Sequence, residues 1–351
     1  MKFVVEQEKL VHVLDMVYKA VDPKNPVDML RNFCFRDRLV AGYNSSFGIS
    51  ALLPTNDCEI PLPFCVPADR MLGVVKCMSG TINCVLNKNS LMLTCGKNKT
   101  RMNVSSAVGY PSFVPQLPVV PILVHDGSLS SSLRLVHSIA NVAKSHTSID
   151  GVGMRGKYVY WTDGVMLVRV GMDVSTNEEY VLSSGSIGAI LALPDMGIVR
   201  TDGNRFVAEY LDGRVLLVSV LSATKYPFDH IDNVLAGHTR REYDCEFPRE
   251  LAAGISRVCS VARSKDESQT ITLESHGGIL VVRCVGTEIG ESVEEFDWEC
   301  GHEFSIKVDS RYLLSALKHT RSANLTNVLS GDGRYVRFDT HNFTHLVALR
   351  T

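Results

Sequence analysis

The chain has 351 residues, 45% of them apolar, and a formal net charge of −2, so it holds enough apolar material for two or three globular cores and carries no bulk attraction for a polyanion. It has no apolar run of about 18 residues, the length a membrane-spanning helix needs. The opening Met1-Lys2-Phe3-Val4-Val5-Glu6 lacks the charged-then-apolar order of a signal peptide, so a cytoplasmic protein is expected.

The first predicted element is an alternating strand at Lys2 to Glu6, and Leu10, Val13, Leu14 and Val17 follow it at helical spacing. Short strands are predicted near Asn32 to Phe35, Arg38 to Ala41 and Phe47 to Leu52. The order then starts again, with a strand at Ile60 to Val66 and a helix from Pro67 to Met78, where proline suits the first turn. Strands at Thr81 to Leu86, Leu91 to Gly96 and Arg101 to Ser105 complete a doubled strand, helix, strands unit.

This unit recurs along the chain. Tyr110-Pro111-Ser112-Phe113 returns as Tyr226-Pro227-Phe228, and Pro67-Ala68-Asp69 returns as Ser183-Ser184-Gly185, both 116 residues on. A third copy starts at Tyr243. Six helices and about two dozen strands are expected, in domains 1–117, 122–237 and 242–351. Asn87-Lys88-Asn89, Asp202-Gly203-Asn204 and Gly331-Asp332-Gly333 read as matching hairpin turns, Pro115 to Pro121 as a linker, and Ala236 to Arg241 as the second boundary.

Ten scattered cysteines without a C-x-x-C pair predict reduced, mostly buried thiols rather than a metal centre or a disulfide framework. The eleven histidines show no ligand spacing, and no Gly-rich phosphate loop, H-E-x-x-H or G-x-S-x-G motif is present. No cofactor, metal or catalytic residue is expected. The helical windows carry a net charge of +7 within the total of −2, which leaves −9 for strands and loops. Arg134, Lys144, Arg257, Arg263, Arg311, Lys318 and Arg321 are then either ordinary solvated helix faces or a face turned to a polyanion.

The start of the chain, Val66-Pro67-Ala68 with its helix, Arg101-Met102-Asn103-Val104, Tyr110-Pro111, Thr162-Asp163-Gly164 with Leu167, Tyr226-Pro227, and Val308 to Leu317 together resemble, in order and over the whole chain, the bacterial DNA polymerase III beta subunit family of sliding clamps. The resemblance implies an α+β fold of three tandem DNA-clamp domains that closes into a ring as a head-to-tail homodimer. It implies a non-catalytic processivity factor that encircles double-stranded DNA and tethers a DNA polymerase and a clamp loader through short hydrophobic peptides, with no membrane partner. A decoy or structural ring is the alternative, and divergence points to a phage-encoded clamp.

By the same resemblance, Lys24, Arg134, Lys144, His146, Arg257, Arg263, Lys265, Arg311 and Lys318 face DNA. Ile149, Thr162, Gly164, Met166, Leu167, Pro227, Val234, Tyr312, Val347 and Leu349 build the partner groove. Met102, Val104 and Val261 lie at the subunit contact, which joins the Arg101 to Ser105 strand to the Gln269 to Leu273 strand of a second chain. The chain departs from the family at Val165-Met166, where a polar residue and arginine are usual, in two extra residues between Pro227 and Val234, and at its end, Val347-Ala348-Leu349-Arg350-Thr351.

Overall fold

A computed structural model describes residues 2–55, 60–112, 120–122, 128–141, 151–193, 196–201, 204–210, 213–222, 225–236, 243–261, 270–286, 290–329 and 334–350. The first repeat runs β1 (Lys2–Glu6), α1 (Gln7–Tyr18), β2 (Asn32–Asp37), β3 (Leu39–Tyr43) and β4 (Phe47–Leu52). It continues with β5 (Ile60–Pro67), α2 (Ala68–Lys76), β6 (Thr81–Asn87), β7 (Ser90–Cys95), β8 (Asn98–Asn103) and β9 (Ser105–Ser106). All four apolar positions that predict α1 are buried, which is why a helix with only this one apolar stripe holds its place.

The second repeat has β10 (Val120–Ile122), α3 (Ser128–Ala140), β11 (Val152–Thr162) and β12 (Met166–Leu182), then α4 (Ser184–Ala192), β13 (Met196–Thr201), β14 (Arg205–Tyr210), β15 (Val215–Val220) and α5 (Phe228–Ala236). In the third stand β16 (Asp244–Glu246), α6 (Leu251–Val261), β17 (Thr270–His276), β18 (Ile279–Gly286), β19 (Gly290–Asp297) and β20 (Phe304–Asp309). They are followed by α7 (Ser310–Leu317), β21 (Ser322–Asn324), α8 (Thr326–Leu329), β22 (Tyr335–Asp339) and β23 (Phe343–Ala348). The repeat is therefore imperfect. Helices α5 and α8 are additions to the expected six, and α8 stands between β21 and β22, where a tight hairpin was expected. The turn at 331–333 itself lies outside the described residues.

The chain forms two compact units that cut across the repeats: Met1–Ser130 with Leu182–Ser222, and Ser131–Val181 with Ala223–Thr351. The first unit contains a four-stranded sheet, β1-β6-β7-β8, and a nine-stranded sheet, β10-β13-β14-β15-β4-β3-β2-β5-β9. Its long sheet crosses from the first repeat to the second where β15 pairs antiparallel with β4, from Val215 opposite Ala51 to Ser219 opposite Phe47. Within the second unit lie a six-stranded sheet, β11-β12-β23-β22-β21-β16, and a four-stranded sheet, β19-β18-β17-β20. Here β12 pairs with β23, from Met166 opposite Val347 to Val170 opposite Phe343, and so joins the second repeat to the third. Both joins follow one rule: the strand that ends one repeat's first half pairs with the strand that ends the next repeat's second half.

Nine of the ten cysteines are described, and all are free thiols. Cys77 is exposed, Cys245 and Cys300 are half-buried, and the other six are buried. No helix among the described residues is long and apolar enough to cross a membrane.

Candidate partner groove and nucleic-acid face

The Thr162-Asp163-Gly164 segment is the turn between β11 and β12. Asp163 Oδ1 accepts the backbone N–H groups of Val165 and Met166 at 2.9 and 2.7 Å, and the Asp163 N–H donates to Met166 O at 3.2 Å. Thr162 Oγ1 donates to Met166 O at 2.8 Å and accepts from Gly164 N. Gly164 has φ +85°, a conformation that costs a residue with a Cβ about 1 kcal/mol or more, so glycine suits the turn. The second oxygen of Asp163 accepts the hydroxyl of Tyr312, on α7, at 2.9 Å. Burial first, and the neighbouring carboxylate second, push the Tyr312 phenol up to about 12. The turn is thus held from both sides, and Val165, beyond it, is 41% exposed.

Behind Tyr312, the buried carboxylate of Asp309 caps α7 by accepting the Arg311 N–H at 3.0 Å. It also receives the Arg311 guanidinium through Nε at 3.0 Å and Nη2 at 2.7 Å, and Arg350 Nη2 at 2.9 Å. These hydrogen bonds hold the Arg311 pKa above its ordinary value. Beyond β23 the chain stays anchored, because Leu349 N donates to Arg334 O and Arg350 N donates to Lys307 O.

An apolar cluster forms the floor beside this turn: Tyr160, Leu167, Val181, Tyr226, Phe228, Ile231, Leu235 and Leu346 are buried, and Val234 and Tyr335 pack on them partly exposed. Tyr226 donates its hydroxyl to Tyr160 O at 3.1 Å, and the Tyr226 and Phe228 ring centroids lie 4.8 Å apart. Gly153 on β11 permits this packing, since a Cβ there would meet Tyr226 and Phe228 ring atoms at 2.7 and 2.8 Å. At the outer end Arg155 pairs with Asp229, Asp232 and Glu179.

The expected groove residues separate into three groups. Thr162, Gly164, Leu167, Pro227 and Val234 lie at the turn, on the cluster or at the start of α5, with Tyr312 and Leu349 anchored nearby. Met166 and Val347 do not lie beside Leu167. Strand side chains alternate between faces, so the pair Leu167 and Leu346 projects to the α5 side, whereas Met166 and Val347 project to the opposite face and are 1% and 0% exposed. Leu346 takes the place expected of Val347. Ile149 lies outside the described residues. Helix α5, which supplies three of the floor residues, was missed although Phe228, Ile231 and Leu235 have helical spacing.

The basic residues also separate. Lys24, Arg134 and Lys318 are exposed and have no ion-pair partner among the described residues. Arg257 is bound by Glu294 of β19, and Arg311 by Asp309, which removes much of their attraction for an anion. Lys144, His146, Arg263 and Lys265 lie outside the described residues. Of the expected subunit-contact residues, Met102 is 7% exposed on β8, the edge strand of its sheet, and Val104 follows that strand half-buried. Val261 ends α6, and its side chain is not described. The Gln269 to Leu273 segment cannot supply a free edge, because β17 is paired on both sides, with β18 and β20. Among the described residues the edge strands of that sheet are β19 and β20, and β20 is bridged at Val308 to Leu349.

No protein-family model matches the chain, and no curated protein sequence does. Solved structures match over its whole length. The DNA polymerase III subunit beta of Pseudomonas aeruginosa is 16% identical with a TM-score of 0.82, each chain being covered completely. The Helicobacter pylori beta clamp, solved bound to a DNA ligase peptide, is 17% identical with the same TM-score and coverage. The DNA polymerase sliding clamp of Bacillus subtilis is 18% identical with a TM-score of 0.82, covering 100% of this chain and 99% of that one. The chain has the sliding-clamp fold. It is a divergent example, and its α+β architecture is the one expected.

Proposed function

We propose that the chain is a DNA sliding clamp: three clamp domains, 1–117, 122–237 and 242–351, of which two copies close head to tail around duplex DNA. The clamp is a non-catalytic accessory protein that holds a polymerase and other partners on their template. The full-length likeness to bacterial clamps at a TM-score near 0.8 carries this reading.

The rule of the joins supports closure. Within the chain, β4 pairs with β15 and β12 pairs with β23. The same rule leaves β19, which ends the third repeat's first half, and β8, which ends the first repeat's second half, as open edges. Pairing β8 of one chain with β19 of the next is the third join, and two such joins make a closed dimer. Their charges are complementary: β8 carries Lys99 and Arg101, whereas β19 carries Glu291, Glu294, Glu295 and Asp297. Arg283 and Arg257 occupy Glu291 and Glu294, and Glu295 and Asp297 remain for the incoming strand.

A ring holds DNA by topology, so a few mobile phosphate contacts from Lys24, Arg134 and Lys318 suffice, and the protein slides. Partner peptides, including those of a polymerase and a clamp loader, lie extended in the groove of Thr162, Gly164, Leu167, Pro227, Val234 and Leu349, with Leu346 and Tyr335 completing its apolar wall. Tethering raises the effective concentration of the partner at the DNA.

The test is retention by topology. Protein threaded onto a linear duplex is trapped when the ends are ligated, and it stays on the circle through a high-salt wash while the unligated control releases it. Equal release from circle and linear duplex would overturn the proposal.

A further inference from the structure

The first repeat carries an apolar trough that the groove of the second unit does not explain. Leu62 on β5 and Val108 after β9 are 74% and 85% exposed, the two most exposed large apolar side chains among the described residues. Both line one cavity of about 640 Å³, open between β5 and β9 on one side and the β6–β7 hairpin on the other. Because they line the same cavity, the two form contiguous exposed apolar surface, which marks an interaction site. The repeat supplies an internal control. At the positions 116 residues on, where Tyr110 becomes Tyr226, Leu62 becomes Glu178 and Val108 becomes Thr224, so the fold does not require apolar residues there.

Two further observations bear on the occupant. Strand β9 ends the nine-stranded sheet: it pairs with Phe64 and Cys65 of β5 on one side, and no strand among the described residues pairs with its other side. An extended peptide can add to such an edge, placing alternate side chains into the trough. The charged residues lining the cavity are Arg36 and Lys88, the lining holds no aspartate or glutamate, and neither forms an ion pair among the described residues.

We propose that this trough binds an extended peptide of a partner protein, one that carries apolar and acidic residues on the same side of its strand, as an added strand on β9. Its apolar side chains cover Leu62 and Val108, and its carboxylates reach Arg36 and Lys88. The site is separate from the partner groove and does not depend on it.

The test uses the full chain and two fluorescein-labelled octapeptides followed by anisotropy, one repeating Leu-Ser-Asp-Ser, which puts leucine and aspartate on one side of the strand, and the other with lysine in place of aspartate. The aspartate peptide binds, and the lysine peptide binds about tenfold more weakly or not at all. The double variant Leu62→Glu with Val108→Thr installs residues the second repeat already tolerates, and it weakens the aspartate peptide about tenfold. Lys88→Glu weakens it in the same direction, while Leu167→Asp in the groove leaves it unchanged. Equal binding of the two peptides, wild-type affinity in the double variant, or loss of binding in Leu167→Asp would each overturn the proposal. So would a fall in the native mass of the double variant, because the trough would then be a contact between copies of the chain.

Discussion

The two joins between repeats are built alike and differ in what they leave exposed. In the first, the β3–β4 turn has Asn44, whose Oδ1 accepts the N–H groups of Ser46 and Phe47, followed by Ser45 at φ +78°. The second has Asp163 accepting from Val165 and Met166, followed by Gly164 at φ +85°. Beneath each turn lies a cluster at equivalent positions. Cys65, Tyr110 and Val218 of the first correspond to Val181, Tyr226 and Leu346 of the second, and Ala41 to Tyr160. The first join closes over small side chains, with Gly48 where the second has Leu167. The second adds Phe228, Ile231 and Leu235 of α5 and a charged tie to α7. One backbone plan therefore yields a plain sheet junction in one place and a walled apolar groove in the other, and side-chain size and charge make the difference.

The capping residues separate the joins most strongly. Asp309→Ala leaves the Arg311 and Arg350 guanidiniums without the buried carboxylate they share, and the expected loss is about 3 kcal/mol in urea unfolding followed by tyrosine and tryptophan fluorescence. Ser183, the cap of α4 in the first unit, accepts from Ser186 N and shares a hydrogen bond with the Ser186 hydroxyl at 2.8 Å, both neutral, so Ser183→Ala costs about 1 kcal/mol. Equal losses would remove the distinction.

Acid separates them next. His345 on β23 is fully buried, neither ring nitrogen has a hydrogen-bond partner among the described residues, and its register position matches Leu217 of the first join. Burial first, with His319 second, pulls its pKa down to about 3. A histidine that is neutral when folded and titrates near 6.5 when unfolded gives its full contribution above pH 6.5 and loses it as pH falls towards 3. The second unit should lose about 2 kcal/mol between pH 6.5 and 4.5, the slope rising to roughly 1.4 kcal/mol per pH unit. In the His345→Leu variant this slope should disappear. A slope unchanged in the variant would place the acid sensitivity elsewhere.

Smaller effects sharpen the groove itself. Gly153→Ala drives a methyl into the Tyr226 and Phe228 rings and should cost about 2 kcal/mol and weaken groove peptides, read by thermal melting and peptide anisotropy. Asp163→Asn should cost under about 1 kcal/mol, because Asn44 shows that an amide holds the same turn, and only the Tyr312 bond loses its charge. A larger loss would assign the Asp163 charge a role beyond that bond.

Much of this was legible along the chain. Strand β1 and strand β4 fall where alternation placed them, and Leu10, Val13, Leu14 and Val17 are buried, because period is a local property. Pairing is not local. Leu346 and Val347 exchange places with a one-residue change of register, and only the β12–β23 ladder decides which of them faces α5. The partners of Arg257 and of the Tyr312 hydroxyl lie 37 and 149 residues away, so neither the neutralised helix face nor the braced turn could be read from spacing. Helix α5 has the spacing of a helix, but its nine residues span only about two and a half turns and start directly after Pro227, so its period is short.

On the proposed reading, the rule which pairs β4 with β15 and β12 with β23 is completed between chains by β8 and β19. Sedimentation equilibrium tests it directly. At micromolar concentration the protein should have twice the 38.7 kDa mass of one chain, and reversing the β8 charges with Lys99→Glu and Arg101→Glu should lower it towards one. A single-chain mass for the unaltered protein at every concentration would contradict the account.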